Sequence, residues 1–160
     1  MVSNPEHFGD AKEFAATQAA ALGLGMLVTH HPATNVPELQ GALAAAVAAG
    51  AEALIVHPDG LMLQQRAVIG EFTLQQRIPA ISGWATIADG GLLLTYGPNL
   101  QESYRRLAYF VDRILRGARP ADLPIEFPTT VEFVVNLKTA KALGITVPPT
   151  LLLRADRLIV

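Results

Sequence analysis

The apolar residues of this chain change period along its length, and the changes outline its elements. From Gly9 to Leu22, the positions Ala11, Phe14, Ala15, Ala19 and Leu22 keep close to helical spacing, with Gly23 placed for a left-handed C-terminal cap. Gly25-Met26-Leu27-Val28-Thr29 reads as a short strand. Asn35-Val36-Pro37-Glu38 has the make-up of a helix start, with proline in the first turn and an acid at the positive end of the dipole. Leu39, Leu43, Ala46 and Val47 give that helix one buried stripe, and Gly50 ends it. Ala53-Leu54-Ile55-Val56 is apolar at every position, the pattern of a strand covered on both faces in a parallel sheet.

After the turn His57-Pro58-Asp59-Gly60 the unit repeats. Leu61, Val68, Ile69 and Phe72 mark a helix that closes at Arg77, before the strand Pro79-Ala80-Ile81-Ser82. Gly90-Gly91 introduces the strand Leu92 to Tyr96, and Gly97-Pro98-Asn99 introduces the most regular helix of the chain, with Leu100, Tyr104, Leu107, Ala108, Val111 and Leu115 on one face. Glu102 with Arg106 and Asp112 with Arg116 have the spacing of i,i+4 ion pairs, and Gly117 terminates the helix. The segment 118–129 carries Pro120, Pro124 and Pro128 and is expected to be irregular, ahead of a strand Val131 to Val135 and a last helix Lys138 to Leu143. Strands alternating with crossover helices predict an α/β fold: a mostly parallel sheet with helices on both faces. Ligands bind such sheets at the carboxyl ends of the strands. That edge holds His30-His31, His57 to Gly60, Ser82-Gly83-Trp84 and Tyr96-Gly97.

Composition removes several function classes. At 160 residues the chain has the length of one domain, and 51% hydrophobic against 16% charged residues excludes a disordered tail. Twelve basic and fourteen acidic residues leave a formal charge of −2, without the basic excess that nucleic-acid binding needs. With no cysteine there is no disulfide, thiol catalysis or thiolate-bound metal. Met1 to His7 lacks a basic segment followed by an apolar one, so the chain as written carries no export signal and would stay cytoplasmic. The longest apolar run, Leu39 to Leu54, is interrupted by Gly41, Gly50 and Glu52, short of the roughly 18 apolar residues of a membrane span.

Neither a phosphate loop nor a dinucleotide fingerprint is present, since Gly23-Leu24-Gly25 follows a helix instead of a strand. Ser82 lacks the preceding glycine of a nucleophile elbow and reads as a polar loop hydroxyl. His30 and His31 are adjacent and read as a solvated loop pair, while His7 and His57 lie in other segments. His57 and Asp59 have the chemistry of an acid–base or metal pair, but a turn built by Pro58, Asp59 and Gly60 explains the same residues, and spacing places no third ligand. Trp84, the single tryptophan, follows a strand in a glycine-flanked loop, where core packing and a ligand-stacking pocket wall both account for it. A flavodoxin-like enzyme or phospho-acceptor using Asp59 would need an acid pair after the first strand and a lysine after a late one, and neither is visible.

The segment Val131 to Pro149, continuing through Leu151-Leu152-Leu153-Arg154-Ala155-Asp156, closely resembles the ending of ABC-transporter substrate-binding proteins of the tryptophan/tyrosine type. Gly90 to Leu100, Tyr109 to Gly117 and Ala121 to Glu126 agree with it. The resemblance spans the whole chain but only about the second half of the family, and it implies a periplasmic-binding-protein type I fold whose two lobes close on a small ligand. Cofactors and catalytic residues are not implied. By resemblance the ligand residues are Asn4, Asp59, Ser82 and Trp84, with Tyr96 near the hinge; the partners are a small solute such as an amino acid, an ABC permease, and a first lobe; the location is periplasmic. The first lobe and export signal are absent from this chain, which suggests a truncated frame without independent function or one part of a split protein. Met1-Val2-Ser3 would supply only the last residues of a strand expected in the middle of the sheet, leaving its neighbours unpaired. The helix over 98–117 would present Leu100, Tyr104, Leu107, Val111 and Leu115 to the first lobe or to another chain.

Overall fold

The computed structural model describes all residues from Met1 to Val160. Seven strands form one sheet: β1 (Val2–Ser3), β2 (His31–Pro32), β3 (Leu54–Val56), β4 (Ala80–Ser82), β5 (Leu94–Pro98), β6 (Val131–Asn136) and β7 (Arg157–Ile159). Their spatial order is β2-β1-β3-β4-β5-β6-β7, and every pairing is parallel except β5 with β6. The helices are α1 (Asp10–Leu22), α2 (Val36–Ala48), α3 (Gly60–Gln64), α4 (Arg66–Gln75), α5 (Ala85–Ala88), α6 (Leu100–Leu115), α7 (Leu137–Leu143) and α8 (Pro149–Leu152). The expected α/β architecture is therefore present.

Strand order and crossover hand together place the helices. The step from β1 to β2 runs opposite to the steps from β2 to β3 and from β3 to β4, so right-handed connections put α1 on one face and α2 to α4 on the other. The main core lies on the α2 to α4 face, where Val2, Leu39, Leu43, Leu54, Val56, Met62, Ile69, Ile87 and Leu92 are all buried and α1 contributes nothing. Ile55 and Ile81 point the other way and keep partial exposure, 36% for Ile81.

Capping explains two helix starts. Asn35 accepts the Glu38 amide hydrogen at 3.0 Å, and the Glu38 carboxylate in turn accepts from the Thr34 amide and hydroxyl, both at 2.8 Å, and from the Asn35 side-chain amide at 2.9 Å, bonds that hold the carboxyl below its ordinary range. Asn99 accepts the Glu102 amide at 2.9 Å and starts α6. Within α6, Asp112 pairs with Arg116 at 2.8 Å as the spacing predicts. Glu102 instead reaches Arg105 at 2.9 Å, because Arg106 grips Glu126 in a bidentate pair and lies over the Tyr109 ring, 4.0 Å from its centroid.

Several expected boundaries shift. The residues Gly25 to Thr29 form no strand; pairing begins at His31, whose amide donates to the Met1 carbonyl at 2.8 Å, so the register of β2 is set by β1 and not by its own apolar run. Gly23 stays right-handed, and Gly25, with φ of 69°, takes the left-handed turn. The helix expected from Leu61 to Arg77 breaks at Gln65 into α3 and α4. Strand β1 lies second from the edge, not in the middle, and pairs with both neighbours, Val2 opposite His31 and Val56 and Ser3 opposite Pro32. Helices α5 and α8 and strand β7 had no counterpart in the periodicity, each being four residues or shorter.

Two glycines are fixed by backbone contact. A Cβ on Gly70 would lie 1.9 Å from the Gly90 carbonyl oxygen, and one on Gly90 would lie 2.5 Å from that of Arg66, so α4 packs directly on the turn before β5. Gly70→Ala is expected to destabilise the fold by about 1–3 kcal/mol, the usual cost of overpacking, in urea denaturation. Gly41→Ala, with open space around it in mid-helix α2, should stabilise by about 0.5–1 kcal/mol in the same measurement.

Candidate functional site

Parallel pairing brings the ends of β1, β3 and β4 to one edge, followed by loops that touch. Val56 lies opposite both Val2 and Ser82, and Ser82 lies opposite Thr95. Gly83 leaves room for Pro58, whose Cγ would be 2.9 Å from a Cβ there. Gly97 of β5 approaches the Gly83 carbonyl so closely that a Cβ would sit 2.0 Å from its oxygen. The turn after β3, the loop after β4 and strand β5 thus form one continuous surface.

The residues expected from sequence occupy this edge in different states. Asn4 directly follows β1, half-buried, and accepts the Glu6 amide hydrogen at 3.0 Å. Asp59 is buried as the N-cap of α3, with Oδ1 accepting from the Met62 amide at 2.7 Å. Ser82 is also buried, and its hydroxyl donates to the Val56 carbonyl at 2.7 Å, tying β4 to β3. Trp84 precedes α5 with extended backbone and packs partly buried against the main core, which agrees with the core-packing reading of it. Tyr96 stands apart: 59% exposed, it meets Phe133 of β6 edge-on with centroids 6.0 Å apart.

A polar cluster around the start of α1 escapes a reading of spacing alone, and the expected place of His30-His31 changes with it: His30 precedes β2 and His31 opens it, so neither follows the carboxyl end of a strand. His30 is not a solvated loop residue; its Nε2 lies 2.7 Å from Ser3 Oγ and 3.5 Å from Asp10 Oδ2, and its ring stacks on Phe14 at 4.7 Å. Both contacts fall on the same ring nitrogen, so Ser3, His30 and Asp10 lack the relay of a hydrolytic triad, which uses both nitrogens. His31 stays below the ordinary imidazole range, first through burial and then through the Met1 amino group and His30. Glu13 stands 2.6 Å from His57 and 3.8 Å from His7. The signal that finds this cluster is topological: a carboxylate in the first turn of α1 faces whatever follows the neighbouring strand.

A mostly parallel sheet with polar and aromatic loops gathered along one carboxyl edge is the arrangement at which α/β folds commonly take ligands. The chain belongs to the family of ABC transporter substrate-binding proteins, whose model matches residues 1–159. Among solved structures it is similar to an ABC domain from Streptococcus pneumoniae in complex with L-Trp, with a TM-score of 0.89 and 20% identity over 99% of this chain and 55% of that one. A conserved domain protein from Vibrio cholerae gives 0.88 and 21% identity over 98% and 53%. The ligand-free, open form of a substrate-binding protein with adhesive properties from Clostridium difficile gives 0.70 and 20% identity over 99% and 53%. The fold is thus periplasmic-binding-protein-like, and the chain spans about half the length of these structures. No curated protein matches the sequence significantly.

Loss of the α3 cap in Asp59→Ala should cost about 1 kcal/mol in urea denaturation, most of it recovered in Asp59→Asn. Gly97→Ala should push the Ser82 to Trp84 loop outward, seen as a red shift of Trp84 emission.

Proposed function

We propose that this chain forms the second lobe of a two-lobed solute-binding protein that captures a small solute, such as an amino acid, outside the cytoplasm and presents it to an ABC permease. The observation that carries this reading is the shared carboxyl edge, where the loops after β1, β3 and β4 meet within one continuous surface. Asn4, Asp59, Ser82, Trp84 and Tyr96 are the ligand residues of this lobe. Trp84 stacks on the solute, Asn4 and Ser82 hydrogen-bond to it, Asp59 attracts an amine or hydroxyl while its Oδ1 keeps the α3 cap, and Tyr96 contacts it from the hinge side. The protein binds and releases its ligand without chemical conversion.

Helix α6 supports the two-lobed reading. It has no buried residue, and Tyr104, Leu107, Val111 and Leu115 are 55% to 82% exposed. This stripe docks on the first lobe. No helix of the chain is long and apolar enough to cross a membrane.

Calorimetry of a protein carrying both lobes, with this chain as the second, is the direct test. A panel of amino acids including L-tryptophan should contain a ligand whose affinity falls at least about tenfold in Trp84→Ala, equivalent to about 1.4 kcal/mol. No heat across the panel, or binding indifferent to Trp84, would reject the assignment. In sedimentation velocity the chain alone should self-associate through α6. Leu107→Glu with Val111→Glu should return it to a monomer, with stability within about 0.5 kcal/mol of the parent, as for other exposed positions.

A further inference from the structure

Three side chains from separate segments converge beside the carboxyl end of the sheet: His7 from the turn after β1, Glu13 from the first turn of α1, and His57 directly after β3. One ligand atom from each lies within 4.8 Å of the other two. Glu13 Oε2 stands between the rings, 2.6 Å from His57 Nε2 and 3.8 Å from His7 Nδ1.

The hydrogen bonding around these atoms is incomplete in a specific way. The Gly9 amide points at His7 Nδ1 from 3.3 Å, and because a backbone N–H only donates, that nitrogen carries the lone pair and the ring proton sits on Nε2. A nitrogen lone pair and a carboxylate oxygen therefore face each other with no hydrogen between them. The His57 contact is short at 2.6 Å, yet Glu13 Oε2, sealed from solvent, has no satisfied hydrogen bond. One turn earlier on α1, Asp10 Oδ1 is buried and unpartnered as well. Buried acceptors without donors are costly, and a cation placed among them removes the deficit.

We propose that His7, Glu13 and His57 form a binding site for a divalent late first-row transition metal of the zinc type. This goes beyond the solute-binding reading and does not depend on it. Two imidazoles and one carboxylate are a donor set that zinc accepts, with the fourth tetrahedral position left for water, whereas calcium and magnesium call for more oxygen ligands. Bonds of about 2.0–2.1 Å set tetrahedral ligand atoms roughly 3.3 Å apart. The His7 to Glu13 spacing is already near that value, and the His57 to Glu13 spacing opens by rotation of the Glu13 side chain, which is 43% exposed. The site is partly organised in advance: the His57 amide is fixed to the Val2 carbonyl at 2.9 Å, and its side chain is only 17% exposed. Metal at this position ties the start of α1 to the sheet edge, which matters for a helix that otherwise buries only Asp10 and Ala21.

The test is a titration of the full chain, stripped with chelator, with Co²⁺. The expected result is a stoichiometric visible d–d absorption that Zn²⁺ displaces, together with a Zn²⁺-dependent rise in melting temperature. The metal concentration needed for either should rise at least about 100-fold in His57→Ala and in Glu13→Gln, the upper end of what loss of even an outer-shell partner costs in affinity. Glu13→Gln is nearly isosteric at a half-exposed position and keeps the test valid if His57→Ala fails to fold. Absence of the d–d band overturns the proposal. A band unchanged by Glu13→Gln overturns it equally, by assigning the metal to other histidines.

Discussion

The arrangement of this sheet depends on a backbone of three residues held between two strands. The Met1 and Ser3 carbonyls accept amide hydrogens from His31 and Ala33 on one side, and the Val2 carbonyl accepts from His57 on the other. Because successive side chains of a strand point to opposite faces, this zipper sends Val2 into the main core and Ser3 toward His30 on the α1 side. A slip of one residue would exchange the two, burying a hydroxyl among Leu39, Leu43 and Val56 and withdrawing the partner of His30. The same pairing brings His57 level with Ser3 and Asn4 one residue further along, so the register of a two-residue strand positions much of the candidate ligand edge.

What the sequence reveals about the fold follows how local each determinant is. Helix α2 is legible because Asn35, Pro37, Glu38 and the Leu39 to Val47 stripe all act within a few turns, and the cap forms as the residues indicate. Helix α6 is legible for the same reason. Strand β2 is not, since Gly25 to Thr29 is the more strand-like run and only the placement of Met1 to Ser3 moves pairing on to His31 and Pro32. The exchange of the Glu102 partner from Arg106 to Arg105 has a similar origin, a distant Glu126 that i,i+4 spacing does not contain.

The candidate site divides along the same line. The chain's βα alternation suffices to bring Asp59, Ser82 and Trp84 to the carboxyl edge, because parallel strands with helical crossovers have one such edge. Sequence alone does not show that the Asp59 and Ser82 side chains serve the scaffold, one capping α3 and the other bridging β4 to β3. His7, Glu13 and His57 come together only through the neighbourhood of β1 and β3, across more than forty intervening residues between Glu13 and His57. No local period links them.

The grip of Arg106 on Glu126 has a mechanical consequence. Asn99 donates its amide hydrogen to the Thr130 carbonyl and its side-chain amide to Glu132, pinning the start of α6 to the strand that returns beside it. With one clamp at Asn99 and a second two turns along the helix, α6 and the returning segment are joined at two points, so a load on either is shared by both and passes into the β5–β6 pairing.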